Sequence, residues 1–187
     1  MRKLIVFNQV SLDGFIADVK GDMSWAHKQD AEWNEFVQGN ASSGNGELIF
    51  GRVTYQMMAS FWPTSMAAQL APAVAERMNQ LPKVVFSRTM DKASWNNTTL
   101  VTDNIAAAVR NLKSLPGDTM VIFGSGTIIS ELTEERLIDE YQFVVNPIVL
   151  GKGKAMFDGI TGKLRLRHTN TRNFGNGNVV LSYELAD

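Results

Sequence analysis

Short runs of β-forming residues alternate along this chain with longer amphipathic stretches, and this alternation limits the possible folds more than any other feature. Strands are predicted at residues 3–10, 47–50, 83–87, 99–102, 119–123 and 140–149, and helices at 30–37, 54–60, 64–79, 105–115 and 127–132. Strands separated by helices favour parallel pairing, because a parallel connection must cross the sheet. We therefore predict an α/β fold with three layers and a doubly wound, mostly parallel sheet.

The C-terminal part follows a different pattern. Two β-forming stretches, 164–174 and 178–185, flank Asn176-Gly177, a dipeptide typical of a tight hairpin turn. An antiparallel hairpin is therefore expected at one side of the sheet. Residues 15–25 are interpreted as a loop and 39–46 as a polar linker. No repeat or boundary divides the chain, so one domain over residues 1–187 is expected.

Composition excludes several classes of function. The net charge of -1 and the lack of a basic block argue against a nucleic-acid partner. The 187 residues include no cysteine, and the longest apolar runs are too short for a signal peptide or a membrane span. We expect a cytoplasmic protein with no membrane partner. His27 and His168 are far apart and no carboxylate cluster accompanies them, so no metal site is predicted.

Three predicted strands end in turns of similar chemistry: Gly51-Arg52-Val53-Thr54, Ser87-Arg88-Thr89 and Gly124-Ser125-Gly126-Thr127. Ligands of parallel sheets bind beyond the carboxyl ends of strands. Backbone amides at a helix start attract anions, and arginine binds phosphate through a planar fork. Each turn alone is more simply explained as backbone geometry. Together, the three turns predict a site for a phosphate-rich cofactor.

The same stretches give the sequence a resemblance to a known family. "SLDGFIA", "LIFGRVTY", "LPKVVFSRT", "VIFGSGTII" and "LIDEYQFVVNPIVLGKGKAMF" resemble the dihydrofolate reductase-like proteins, and most closely the bacterial branch related to the riboflavin biosynthesis reductase domain. The resemblance implies an NADPH-dependent reductase with a dihydrofolate reductase-like fold. It also implies a homodimer, to which the apolar run 143–150 could contribute.

The resemblance implies roles for the three turns. Arg52 would lie by the adenosine 2′-phosphate and Thr54 by the pyrophosphate, while Ser87 and Arg88 would border the adenine ribose and its phosphate. Gly124, Ser125 and Gly126 would lie under the nicotinamide and diphosphate. Thr89 and Thr127 complete the predicted cofactor set. Related reductases hold a cis peptide between two glycines at the third turn, so we predict a cis Gly124–Ser125 bond.

The substrate side is less defined. Aligning Trp25 with the active-site tryptophan of dihydrofolate reductases places Asp30 at the proton-donor position, but Asp30 is equally well explained as a helix N-cap. Tyr55, Met58 and Asn146 are further substrate-contact candidates, although residues such as Tyr55 and Met58 are more often core. A lid role for the loop after the first strand is a further hypothesis beside a simple turn at Asp13-Gly14.

Folate itself is disfavoured, because Leu81 stands where the folate enzymes use an arginine. Lys152 and Lys154 could bind a substrate phosphate or could be a solvated surface. The predicted function is an NADPH-dependent reductase that transfers a hydride to a small pterin- or pyrimidine-like heterocycle. Two alternatives stay open: the riboflavin-pathway 5-amino-6-(5-phosphoribosylamino)uracil reductase, and a nucleotide-binding sensor without catalysis.

Overall fold

The computed structural model describes residues 1–26, 30–42 and 45–186. The strands in that part of the chain are β1 (Leu4–Ser11), β2 (Phe15–Ala17), β3 (Asn45–Gly51), β4 (Lys83–Phe86), β5 (Thr98–Val101), β6 (Thr119–Ile122), β7 (Glu140–Asn146), β8 (Lys154–Ala155), β9 (Leu166–Asn173) and β10 (Val179–Leu185). The helices are α1 (Ala31–Ser42), α2 (Arg52–Phe61), α3 (Ser65–Leu70), α4 (Pro72–Gln80), α5 (Ile105–Ser114) and α6 (Gly126–Glu134), with a short 3₁₀ turn at Ser24–Ala26.

The main sheet has the strand order β5-β4-β3-β6-β1-β7-β10-β9. Pairing is parallel from β5 to β7, and β10 pairs antiparallel with both β7 and β9. From β1 the chain crosses to β3, β4 and β5 on one side, returns to β6 between β3 and β1, and then continues with β7 and the hairpin on the other side. The prediction of a doubly wound, mostly parallel sheet with a C-terminal antiparallel hairpin is confirmed.

Helices cover both faces of the sheet, which gives the three predicted layers. On one face, Ala106 and Val109 of α5 and Ile129 of α6 are buried, and Val109 and Ile129 pack in one core with Val6 of β1. On the other face, α2 and α4 pack against β3 and β4 through Tyr55, Val74 and Phe50. Helix α1 covers β7 and β10 on that second face, where Trp33 packs with Val144 and Val180.

The helix α1 is longer than the sequence predicts. It continues to Ser42 through the stretch interpreted as a linker, and β3 begins at Asn45, so the linker prediction is wrong for the described part of 39–46. Residues 43–44 lie outside the described residues. Trp33, Phe36 and Val37 anchor the predicted part of the helix on the core. Once a helix is nucleated, each further residue adds a hydrogen bond at low cost, so the helix can continue through a polar stretch.

The predicted helix 64–79 is two helices. Ala71 has φ −148° and ψ 71° between α3 and α4, because proline at position 72 disfavours helical geometry in the residue before it. The predicted strand 140–149 ends at Asn146, since Pro147 has no N–H to donate to the ladder. The loop 15–25 contains β2, which pairs with β8; strands of two or three residues have no recognisable periodicity.

Candidate active site

The three predicted cofactor turns lie side by side. They follow β4, β3 and β6, which are neighbours in the sheet, and Gly51 stands in register with Phe86, the residue before Ser87. The backbone N–H of Gly51 donates to the carbonyl oxygen of Gly124 at 2.9 Å. Since adjacent strands are about 4.8 Å apart, all three turns fall within about 10 Å along one edge of the sheet.

Gly51 allows the first and third turns to touch. A Cβ atom at this position would lie 2.5 Å from Oγ of Ser125 and 3.1 Å from Cδ1 of Ile128. Real Cβ atoms do not approach other atoms that closely, so a larger residue would push the α2 and α6 amino-terminal ends apart. Glycine here permits close packing of two backbone segments.

The third turn has the predicted backbone. The Gly124–Ser125 peptide bond is cis, which confirms the prediction, and Gly124 has φ +108° in a region that favours glycine. A Cβ on Gly124 would lie 3.0 Å from Oγ1 of Thr54. The Thr54 hydroxyl therefore lies directly against this turn, and the first and third turns form one continuous surface.

The two helices that begin at this surface have no side-chain N-cap. Neither Gly51 before α2 nor Ser125 before α6 supplies a side-chain hydrogen bond to the first helical turn. By contrast, Thr64 caps α3 at 3.2 Å and Asn104 caps α5 at 2.9 Å. First-turn amides without a side-chain cap keep their capacity to bind an anion.

The charged and hydroxyl side chains of the turns face outward. Arg52 is exposed and donates from Nη1 to Oε1 of Gln56 at 3.2 Å, while Arg88, Thr89 and Thr127 are exposed. Ser87 accepts from the N–H groups of Thr89 and Met90 at 3.2 and 3.0 Å, so its hydroxyl also shapes the second turn. Both guanidinium groups stay accessible to a phosphate.

A cavity of about 580 Å³ lies beside the arginine end of this surface. It runs between α2 and residues 89–94, and its lining includes Gln56, the partner of Arg52, and Thr89, the neighbour of Arg88. The cavity does not reach the Gly124 turn. It therefore adds room next to the arginines and not next to the cis peptide.

Two of the substrate-contact candidates are core residues in the structure. Tyr55 is 1% exposed, and its hydroxyl accepts from the backbone N–H of Trp95 at 2.8 Å. Asn146 is fully buried at the end of β7 and donates to Oε1 of Gln9 at 2.8 Å. Burial closes the Asn146 side chain to a substrate, which corrects that assignment in favour of a packing role. Tyr55 also lines the cavity beside α2, and its substrate contact stays a prediction.

The other two candidates are partly accessible. Met58 is half-buried, and its sulfur accepts from Nε1 of Trp62 at 3.0 Å. Trp25 is half-buried on the 3₁₀ turn and donates from Nε1 to the carbonyl oxygen of Asp22 at 3.2 Å. Their substrate contacts stay predictions.

Asp30 has the geometry of an N-cap. Its Oδ1 accepts from the N–H of Trp33 at 2.9 Å, and its carbonyl oxygen accepts from the N–H of Asn34 at 2.9 Å. Since α1 runs opposite to β1 and β3, Asp30 lies at the carboxyl edge of the sheet, the edge of the three turns. The capping role is seen directly, and the proton-donor role stays a prediction.

One buried residue near the third turn was missed. Asn8 of β1 is 8% exposed, and with its amide nitrogen facing acceptors it donates to the carbonyl oxygens of Phe7 at 3.1 Å and Phe123 at 3.3 Å. Phe123 directly precedes Gly124, so Asn8 supports the turn from below. A polar pair, Asn8-Gln9, directly after the apolar run 4–7 was the available signal.

Backbone geometry explains the two glycines of the "GKGK" segment. Gly151 has φ +73°, and a Cβ on Gly153 would lie 2.2 Å from the carbonyl oxygen of Ala17. Lys152 and Lys154 are exposed, as the solvated-surface interpretation expects. Their binding of a substrate phosphate has no further structural support.

Within residues 1–26, 30–42 and 45–186, no group of three or more His, Asp or Glu side chains could hold a metal ion. His27 lies outside the described residues. In that same part of the chain, no helix has the length and apolarity needed to cross a membrane.

The 143–150 run is not a free surface throughout, because Val144 and Asn146 are buried, and the homodimer stays a prediction.

The sheet order defines a protein of the dihydrofolate reductase-like fold class. A dihydrofolate reductase of Enterococcus faecalis, 13% identical, has the same fold with a TM-score of 0.64 over 99% of this chain and 97% of that one. A model of the RibD C-terminal domain family matches residues 2–180, and the chain belongs to that family.

More similar proteins span nearly the whole chain. A Shewanella sp. PV-4 protein with a provisional riboflavin-biosynthesis name is 25% identical, with a TM-score of 0.76 over 99% of both chains. The uncharacterized protein YyaP of Bacillus subtilis (strain 168) is 27% identical over 183 residues, which cover 97% of this chain and 94% of YyaP. YwjB of the same organism is 26% identical over 178 residues.

Proposed function

We propose that this protein is an NADPH-dependent reductase that transfers a hydride to a small pterin- or pyrimidine-like heterocycle. One observation carries the proposal. The hydrogen bond from Gly51 to Gly124 brings together the amino-terminal ends of α2 and α6, and neither end has a side-chain N-cap. Membership of the RibD C-terminal domain family and the fold support a RibD-like reductase.

The donor set fits a phosphorylated dinucleotide. First-turn amides of α2 and α6 suit a diphosphate, and the exposed guanidinium groups of Arg52 and Arg88 suit a further phosphate dianion. Arginine contributes fixed positive charge and a planar fork, so two of them near one end of the site favour NADPH over NADH.

When bound, NADPH would supply the hydride. The residues of this chain would do the rest: Gly124, Ser125 and Thr54 form the surface that orients the cofactor, and Arg52 and Arg88 hold its phosphorylated end. Asp30, or a water molecule, would supply the proton that a reduced C=N nitrogen requires. The position of Asp30 at the same sheet edge supports this role.

A second candidate is the riboflavin-pathway 5-amino-6-(5-phosphoribosylamino)uracil reductase, which family membership favours. Such a substrate carries a phosphate on a ribosyl arm and needs a basic pocket for it. Lys152 and Lys154 are exposed and offer charge without a built pocket. We therefore rank an unphosphorylated heterocycle first.

Titration with NADPH and NADH, followed by a substrate screen at saturating cofactor, tests the proposal. The screen contains pterins, pyrimidines and flavin precursors, with and without a ribosyl phosphate. We expect at least tenfold tighter binding of NADPH, about 1.4 kcal/mol, and oxidation of NADPH with one heterocycle. Tight binding with no oxidation across the panel would instead indicate a sensor, and absence of binding would overturn the proposal.

A further inference from the structure

The Ser11-Leu12-Asp13-Gly14 motif is more than a turn in this structure. The carboxylate of Asp13 joins two segments far apart in sequence: Oδ1 accepts from the N–H of Leu150 at 3.1 Å and Oδ2 from the N–H of Gly151 at 2.7 Å. One side chain thus satisfies two consecutive amides of the 147–153 loop.

Ser11 holds that carboxylate in place. The Ser11 side chain is buried, its hydroxyl donates to Oδ1 of Asp13 at 2.7 Å, and its oxygen accepts from the N–H of Phe15 at 2.9 Å. The Ser11 hydroxyl first, and then the amides of Leu150 and Gly151, lower the pKa of the Asp13 carboxyl. The geometry therefore keeps Asp13 oriented toward the loop.

The clamped loop leads into the wall of the proposed cofactor site. Beyond Gly151 the chain forms β8, which pairs with β2, and the N–H of Met156 donates to the carbonyl oxygen of Gly14 at 3.2 Å. The carbonyl oxygens of Ala155 and Met156 lie 3.3 and 3.2 Å from the place a Cβ on Gly126 would occupy. Gly126 is the first residue of α6, so segment 154–156 packs directly on the uncapped helix start.

We propose that Asp13 is a positioning residue that holds segment 150–156 against the amino-terminal end of α6 and so shapes the cofactor site. The contacts run without a break from Asp13 to Gly151, through β8, to Gly126. This inference rests on the proposed function, because the site that it shapes is the proposed dinucleotide site.

The test compares Asp13→Ala with Asp18→Ala. Asp18 lies in the same loop, and its carboxylate accepts from the N–H groups of Lys20 and Asp22 at 2.7 and 2.8 Å, hydrogen bonds that stay within residues 18–22. Asp13→Asn keeps one acceptor oxygen and should give an intermediate effect. The variants are compared by hydrogen exchange of the free protein, by NADPH affinity and by urea unfolding.

For Asp13→Ala we expect at least tenfold faster exchange of the Leu150, Gly151 and Met156 amides, and at least fivefold weaker NADPH binding. The urea midpoint should stay close to that of Asp18→Ala, since each variant loses hydrogen bonds between a loop carboxylate and backbone N–H groups outside the core. Unchanged exchange of these amides would overturn the clamp. Faster exchange with unchanged NADPH affinity would overturn the positioning role.

Failure of the proposed function gives a different result. If the wild-type protein binds no dinucleotide, the reductase proposal falls and the positioning role falls with it. The exchange measurement on the free protein would still show whether Asp13 holds the loop. A urea midpoint that falls well below that of Asp18→Ala, in step with affinity, would reduce Asp13 to a general stability residue and would also overturn the positioning role.

Discussion

The N–H of Gly51 and the carbonyl oxygen of Gly124 form a 2.9 Å hydrogen bond that ties together the turns after β3 and β6. Gly51 and Gly124 are 73 positions apart in the sequence. Gly51 directly precedes α2 and Gly124 lies just before α6, and neither helix has a side-chain N-cap. The bond brings two anion-attracting helix starts to one place, and the proposed cofactor site depends on this contact.

Replacement of Gly51 by alanine tests how tightly the two turns must pack. The added Cβ would meet Oγ of Ser125 at 2.5 Å, so we expect a loss of about 1 to 3 kcal/mol in the free energy of unfolding and weaker NADPH binding. Urea unfolding and a cofactor titration measure both effects. Gly175→Ala is the control, because a Cβ there would meet nothing within 4 Å. Equal stability and equal NADPH affinity of the two variants would mean that the turns tolerate separation.

The roles of the two arginines can be measured through cofactor preference. Arg52→Ala and Arg88→Ala should each reduce the ratio of NADPH to NADH affinity, because each removes positive charge near the extra phosphate. Arg167→Ala is the control, since this exposed residue lies on β9, the strand at the far edge of the sheet, and pairs with Glu184 of β10. An unchanged ratio in both test variants would show that the arginines do not contact the 2′-phosphate.

Two substitutions distinguish the possible roles of Asp30 as a helix N-cap and as a proton donor. Asparagine caps helices about as well as aspartate, so Asp30→Asn should keep the stability, whereas Asp30→Ala should lose about 1 kcal/mol. If Asp30 also donates the proton, kcat of Asp30→Asn should fall by at least about 100-fold with NADPH affinity intact. Full activity of Asp30→Asn would leave capping as its role.

The buried Lys83 should make the stability of the folded protein depend on pH in an unusual way. It is 1% exposed, its Nζ donates to the carbonyl oxygens of Leu81, Asn79 and Asn96 at 2.6, 3.2 and 3.1 Å, and burial lowers its pKa from 10.5 to about 8. Below pH 8 both the folded and the unfolded chain are protonated at Lys83, and the cost of the buried charge is constant. Between pH 8 and 10.5 the folded protein has released the proton and the unfolded chain keeps it, so stability rises with pH.

The measurement is urea unfolding of the wild type and of Lys83→Met at pH 7 and pH 9.5. The Met variant has no charge at this position, so the difference between the two proteins isolates the lysine. We expect the wild type to gain about 1 to 2 kcal/mol relative to the variant over this range. Parallel pH dependence of the two proteins would contradict a lowered pKa for Lys83.

The extension of α1 gives a further prediction. Gly39 lies inside α1, is exposed and has open space around it. Gly39→Ala should therefore stabilise the protein by about 0.5 to 1 kcal/mol, because alanine loses less conformational freedom than glycine in a helix. Gly162→Ala, outside the helices and also in open space, is the control for urea unfolding. No gain at Gly39 would indicate that this stretch is not helical in solution.

Much of the fold could be predicted from local patterns, because apolar periodicity and turn residues act over a few neighbours. The hairpin at Asn176-Gly177, the parallel strands and the glycine-rich turns all follow from such patterns. The cis Gly124–Ser125 bond was predicted from family resemblance and not from the residues themselves. Local patterns failed at α1, where the helix continues beyond its packed residues into a stretch without apolar periodicity, and at β2 and β8, which are too short to show a period.

The sequence by itself determined which strand ends carry arginine, hydroxyl groups and glycine, since these are properties of single positions. Only the tertiary structure decided which side chains are accessible. Tyr55 and Asn146 are substrate-contact candidates in the sequence but are buried in the structure, whereas Asp13 reaches Gly151 across 138 positions. Contacts of this range depend on how the sheet orders its strands, and the burial of each side chain is set by the helices that cover it.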